Sequence, residues 1–287
     1  MVLYPALSRR AGGLSLGINL FPDGKHCSFD CAYCEVLPDR HGPAFSIAAL
    51  ENELALWAES STAAGPSASG LPLDLAFAGD GEPTLSPFLA AAIESAAAAR
   101  VRWPGIFGAA KLVLITNSTG FLDAAVVGAL HEAVDRHGLE IWAKLDAGTE
   151  AWYRRIDRRG PDFEGLFDAL LSFARRSPLT IQSMFCALSS DSTSADAALP
   201  PETEIAAWSR RLVALAEGGA SIEGIQVYTQ SRPSPHGLTS PLDDESLLSI
   251  AQRASDALKS VRFWPRSPIP IRVFGRSAEL AFSGGLP

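Results

Sequence analysis

The feature that most constrains the fold is a regular alternation of short apolar runs and helical patterns, repeated six times between about residues 14 and 262. Strand-type runs at 14–20, 71–77, 111–116, 139–145, 179–185 and 222–228 are each followed by a helix-type segment. Those segments lie at 46–60, 87–100, 121–137, 162–176, 202–217 and 243–261. In the first of them Ile47, Leu50, Leu54 and Trp57 share one helical face, and Ser46 offers an N-cap. The second is rich in Ala, the best helix former. Such alternation implies parallel strands joined by crossover helices, because parallel neighbours need long right-handed connections. A complete eight-fold barrel takes about 250 residues, so six units with a few long loops suit this chain of 287 better. An open doubly wound sheet satisfies the same pattern.

The Ser-rich stretches 60–70 and 189–201 read as surface loops rather than linkers, since the βα rhythm continues across both. One domain over 1–287 is therefore expected, with a core at about 14–262 and a C-terminal extension at 263–287. In that extension Pro265, Pro268 and Pro270 break the last helix and Ile271-Arg-Val-Phe274 offers a terminal strand. The formal charge of −8, from 24 basic and 32 acidic residues, argues against broad affinity for nucleic acid or anionic membrane. No uncharged stretch reaches the roughly 18–20 apolar residues that a bilayer span needs. The apolar run at 14–21 is short, interrupted by Gly17 and Asn19, and followed by no cleavage site. A cytoplasmic protein is expected.

Three of the four cysteines fall within eight residues, as Cys27-Ser-Phe-Asp-Cys31-Ala-Tyr-Cys34. A disulfide scaffold spreads its cysteines, whereas clustered thiols point to metal. On this C-x3-C-x2-C spacing, thiolates can wrap an iron–sulfur cubane and ligate three of its four irons, leaving one open. Structural zinc is the alternative and needs a fourth ligand, from His26 or His41. His26 adjoins Cys27 and is poorly placed to share a tetrahedron with it. The loop follows the first strand, at the carboxyl end where α/β proteins build their sites.

With Tyr33 before the third cysteine, the motif resembles the signature of the radical S-adenosylmethionine superfamily. The wider stretch Ser8-Arg-Arg10, Ser15-Leu-Gly-Ile-Asn-Leu20 and Cys27 to Cys34 is similar to the branch that contains wyosine-base-forming enzymes and related bacterial proteins. The resemblance continues in patches to about Pro235. It implies a partial (β/α)6 barrel, a 4Fe–4S cluster on Cys27, Cys31 and Cys34, and S-adenosyl-L-methionine chelated to the open iron. It further implies radical chemistry fed by a flavodoxin or ferredoxin-type electron donor.

Other strand ends supply the remaining expectations. Ala78-Gly-Asp-Gly-Glu-Pro-Thr84 resembles the family's glycine-glutamate turn, which places Gly81, Glu82 and Pro83 at the methionine amino group; Asp80 stands where many members have a glycine. Resemblance sets Asn117 against the ribose. Lys144 and Asp146 share one strand face, suited to a carboxylate and a hydroxyl if they face the mouth and to a structural ion pair if they do not. Gln182 lies in an apolar strand and needs a polar partner. The segment Tyr228 to Pro235 resembles one of the same branch, which implies that the backbone near Val227 and Tyr228 flanks the adenine; Arg232 is either a contact for an anionic substrate or an exposed loop residue. Cys186, alone after an apolar strand, reads as buried. Arg154, Arg155, Arg158 and Arg159 read as a solvated face. With four lysines and no second cysteine triad, the expected substrate is a small molecule or peptide. A tRNA base remains the alternative, as does a non-enzymatic zinc- or cluster-bearing module.

Overall fold

The computed structural model describes residues 1–36, 42–64, 70–189, 197–259, 261 and 269–284. His41, Pro265, Pro268 and parts of both Ser-rich stretches lie outside the described residues. The chain divides into two compact units. The first is Met1–Cys27, Val36–Thr116 and Asp123–Trp142; the second is Ser28–Glu35, Asn117–Leu122 and Ala143–Pro287.

The first unit contains β1 (Leu3–Ser8), β2 (Gly13–Ile18), α1 (Ile47–Ala64), β3 (Asp74–Phe77), α2 (Leu89–Arg102), α3 (Pro104–Phe107), β4 (Lys111–Thr116) and α4 (Ala124–His137). It also contains the start of β5 (Glu140–Lys144), inside which the division falls. Strand β1 is antiparallel to β2, while β2–β3 and β3–β4 are parallel. Period-two side chains serve two faces. Leu75, Phe77, Leu112 and Leu114 are fully buried, each such side chain contributing roughly 1.5–3 kcal/mol. On the other face Ala76, Val113 and Trp142 cluster with Ile115. Helix α4 starts where the Asp123 carboxylate caps the amides of Ala125 and Val126, and it stops at left-handed Gly138 (φ 65°).

The second unit contains α5 (Glu150–Ile156), α6 (Phe163–Ala174), β6 (Leu179–Met184), β7 (Cys186–Leu188), α7 (Glu202–Glu217), β8 (Ile222–Tyr228), β9 (Thr239–Pro241), α8 (Asp244–Leu258), β10 (Ile271–Phe274) and β11 (Glu279–Leu280). Strands β6, β8 and β10 run parallel, β11 returns antiparallel to β10, and β7 pairs antiparallel with β9. Asp162 and Asp243 cap α6 and α8 through the amides of Gly165 and Ser246, both at 2.7 Å.

The expected strand–helix rhythm is present, with edges moved by capping. The helix expected at 121–137 begins at Ala124, because Asp123 caps it and 119–122 form a 3-10 turn. The strand expected at 71–77 starts at Asp74, after half-exposed Leu71 and Leu73. Strand β1 escaped the pattern because Pro5 reads as a breaker; on an edge strand a missing N–H costs no ladder bond. Helix α5 is seven residues long, too short for a periodic signal.

Candidate functional site

In the first unit the chain leading to Cys27 is fixed to the turn after β3. Asn19 Nδ2 donates to Asp80 Oδ2 at 2.7 Å, and the Asp80 amide donates back to Asn19 Oδ1 at 3.1 Å. This reciprocal pair accounts for an aspartate where the resembled motif has glycine. The His26 amide donates to the Asp80 carbonyl at 3.2 Å, and the Glu82 amide donates to the His26 carbonyl at 2.8 Å. His26 and Gly81 thus form an isolated parallel bridge. A Cβ on Gly81 would lie 2.1 Å from the His26 oxygen, so the approach requires glycine. Glu82 is 3% exposed. Its Oε1 accepts from the Thr84 amide at 3.1 Å and from the hydroxyls of Thr84 and Thr116 at 2.7 and 2.6 Å. It caps a 3-10 turn that opens with Pro83.

In the second unit residues 28–35 form a loop pinned through its backbone. The Cys34 amide donates to the Cys31 carbonyl at 3.0 Å, closing a four-residue turn. The amides of Asp30 and Ala32 donate to the carbonyls of Asp157 and Ile156 at 3.0 and 2.8 Å. Ser234 Oγ lies 3.0 Å from the carbonyls of both Ala32 and Cys34. Ser28 is held by Asn117 Nδ2 at 2.9 Å and by Thr119 Oγ1 at 2.8 Å. Arg232 pairs with Glu35, and Arg158 with Asp30 at 3.4 Å.

A charged cluster stands against this loop. Lys144 Nζ lies 2.9 Å from Asp146 Oδ2 and donates to the Tyr228 hydroxyl at 2.7 Å. It also sits 4.7 and 5.3 Å over the rings of Tyr33 and Tyr228. Asp146 accepts from the Tyr33 hydroxyl and, at 2.7 Å, from the Met184 amide. Burial is the largest influence on Lys144 and opposes its charge, but Asp146, Tyr228 and Cys31 together outweigh it and hold the ammonium above its ordinary pKa. Asp157 is pushed up to about 8, first by burial and then by the charge of Asp146. Cys31 Sγ donates to Asp157 Oδ1 at 3.3 Å, and burial raises this thiol. Beside these groups lies a cavity of about 20 Å³, bounded also by Phe29, Ser118 and Tyr153. That is room for a single water.

The structure therefore brings Cys31, Tyr33, Lys144, Asp146 and Tyr228 into one network within the second unit. Lys144 and Asp146 pair with each other in that network. Gln182 has the partner its burial demands, donating to Gln226 Oε1 at 2.7 Å across β6 and β8. Asn117 spends its amide on Ser28 and Thr119 rather than standing open. Arg232 is 78% exposed beside Glu35. Cys186 is 1% exposed, and burial pushes its thiol up to about 12. None of the four cysteines is in a disulfide; Cys27 is exposed, and Cys31 and Cys34 are partly buried. Among the described residues no three His, Cys, Asp or Glu side chains are drawn together as a metal site. Sequence reasoning missed Asp157 and Ser234. Asp157 ends the unrecognised helix α5, and Ser234 sits in a Pro-flanked turn with no pattern of its own.

Compared with known proteins, the chain is 31% identical over 178 residues to a UPF0026 protein of Helicobacter pylori strain J99, covering 61% of this chain and 52% of that protein. It is 30% identical over 180 residues to the UPF0026 protein of strain 26695, with the same coverage. The chain thus spans about half the length of the curated relatives it matches. No protein-family model matches it. A crystal structure of archaeal TYW1 reaches a TM-score of 0.41 at 13% identity, covering 85% of this chain and 72% of that one, too low to bear on the fold. A crystal structure of a radical SAM methyltransferase from Sphaerobacter thermophilus superposes with a TM-score of 0.57 at 12% identity, covering 96% of this chain and 78% of that one. This last likeness shows the fold class, an α/β partial barrel with a mostly parallel sheet, as in radical SAM enzymes.

Proposed function

We propose that this chain is a radical S-adenosylmethionine enzyme whose Cys27, Cys31 and Cys34 hold a 4Fe–4S cluster. One observation carries the reading: a C-x3-C-x2-C run of thiols free of disulfides occurs on a chain that shares its fold with a radical SAM methyltransferase. The residues fit the group through their donor chemistry, since three soft thiolates suit iron–sulfur ligation and leave one iron open. When bound, such a cluster supplies the electron that splits S-adenosyl-L-methionine into methionine and a 5′-deoxyadenosyl radical, which takes hydrogen from the substrate.

The protein's part is binding, orientation and electrostatics. Lys144, buried yet kept charged, is matched to the methionine carboxylate and exchanges its Asp146 partner for it. Asp146 is then freed for a hydroxyl. Glu82, fixed by Thr84 and Thr116, supplies negative charge for the amino group, with the Gly81–Pro83 backbone beside it. Asn117, Gln182, Tyr33 and Tyr228 furnish the polar and aromatic lining for the nucleoside. Arg232 meets an anionic substrate when Glu35 releases it. The substrate is a small molecule or peptide rather than tRNA, in keeping with the net charge of −8. A flavodoxin or ferredoxin-type donor delivers the electron in the cytoplasm. In the structure, no helix among the described residues is long and apolar enough to cross a membrane.

The test uses anaerobically reconstituted protein reduced with dithionite in the presence of S-adenosyl-L-methionine. Mass spectrometry should find 5′-deoxyadenosine with wild type and none with Cys31→Ala. A wild-type protein that takes up no iron, or equal product from both, would sink the reading.

A further inference from the structure

We propose that Ser234 is a positioning residue for the Cys31–Cys34 turn and, through it, for the cluster; this rests on the cluster reading above. The turn has few backbone groups left to arrange. Its closing bond joins the Cys34 amide to the Cys31 carbonyl, and the amides of Asp30 and Ala32 are taken by Asp157 and Ile156. The carbonyls of Ala32 and Cys34 both face one hydroxyl, Ser234 Oγ, at 3.0 Å each. Ala32 is fully buried and Ser234 is 6% exposed, so water does not readily replace this donor.

The hydroxyl is itself oriented. The His236 amide donates to Ser234 Oγ at 3.3 Å, which occupies an acceptor site and turns the proton toward the two carbonyls. Pro233 and Pro235 fix the backbone on either side. Two residues earlier, Arg232 pairs with Glu35, which directly follows Cys34. The segment 232–235 therefore grips the loop at Ala32, Cys34 and Glu35. Cys34 contributes its sulfur from a peptide whose carbonyl that grip holds. Without the hydroxyl, the buried Ala32 carbonyl and the partly buried Cys34 carbonyl share no donor from this segment and the Cys34 peptide is released.

Wild type, Ser234→Ala and Ser234→Thr are reconstituted side by side, and two quantities are read: the EPR spectrum of the reduced cluster, and the rate of iron loss to an excess of chelator. Ser234→Ala should take up iron, show a shifted or broadened spectrum, and lose iron about tenfold faster, the scale seen when outer-shell partners of metal ligands are removed. Ser234→Thr keeps the hydroxyl and should behave as wild type. If Ser234→Ala fails to fold, Ser234→Thr and Ser234→Val, nearly equal in shape and differing in the hydroxyl, make the same comparison. Matching spectra and release rates with and without the hydroxyl would overturn the proposal, as would a Thr variant that fails like Ala. An iron-free wild type instead removes the cluster reading itself, so the two failures are distinct.

Discussion

The two units handle their buried polar groups in opposite ways. Around Asp80–Thr84 in the first unit, groups are matched locally: Asn19 with Asp80, His26 with the Asp80 and Glu82 backbone, and Glu82 with two threonines. Three donors to Glu82 Oε1, the Thr84 amide and the hydroxyls of Thr84 and Thr116, are neutral. In the second unit charge is concentrated: Lys144 and Asp146 share a network with two tyrosines, beside Asp157 and Cys31. The first arrangement holds a backbone in place. The second stores charge in low dielectric, where any unpaired member is costly.

The largest expected effect comes from breaking the second arrangement. Asp146→Ala strands the Lys144 ammonium, whose side chain is 14% exposed, and should cost about 3–5 kcal/mol by chemical denaturation. A loss below about 1 kcal/mol would mean that the ammonium finds water without it. Next comes Gly81→Ala, which drives a methyl group into the His26 carbonyl. About 2–3 kcal/mol is expected from such overpacking against backbone, and Gly81→Ser should be no milder. The smallest effect sharpens the contrast. Glu82→Gln keeps an oxygen to accept from Thr84 and Thr116, so stability should change by less than about 1 kcal/mol. If Glu82→Gln proved as damaging as Asp146→Ala, the first unit would also depend on buried charge and the comparison would fail.

How much of this was legible beforehand depended on the range over which each signal acts. Strands such as Lys111–Thr116 and helices such as Glu202–Glu217 declare themselves through local periodicity and appear where expected. Cys27, Cys31 and Cys34 are legible because their meaning lies in their spacing. Lys144 and Asp146 were visible as a pair because the pattern put them on alternate residues of a strand end, although β5 stops at Lys144 and Asp146 lies just beyond it. The partners that complete the network were not visible. Tyr228 lies 84 residues from Lys144, and Asp157 lies 126 residues from Cys31. Nothing local at either end announces such contacts. Gln182 shows the intermediate case: its burial predicted that a partner must exist, while only the β6–β8 register names Gln226.

The grip of Ser234 on the cysteine turn has a consequence in time. Its bonds join residues separated by 200 and 202 positions, and the Cys31–Asp157 contact closes over 126. Contacts so distant in sequence form only after the intervening chain has been ordered, since each must first overcome the entropy of closing its loop. At translation rates of about 5–20 residues per second, Ser234 leaves the ribosome about 10–40 s after Cys34. Throughout that interval the Cys31–Cys34 turn lacks the Ser234 hydroxyl. That turn is a late product of synthesis, completed when a serine made near the end of the barrel reaches back to residues made near its beginning.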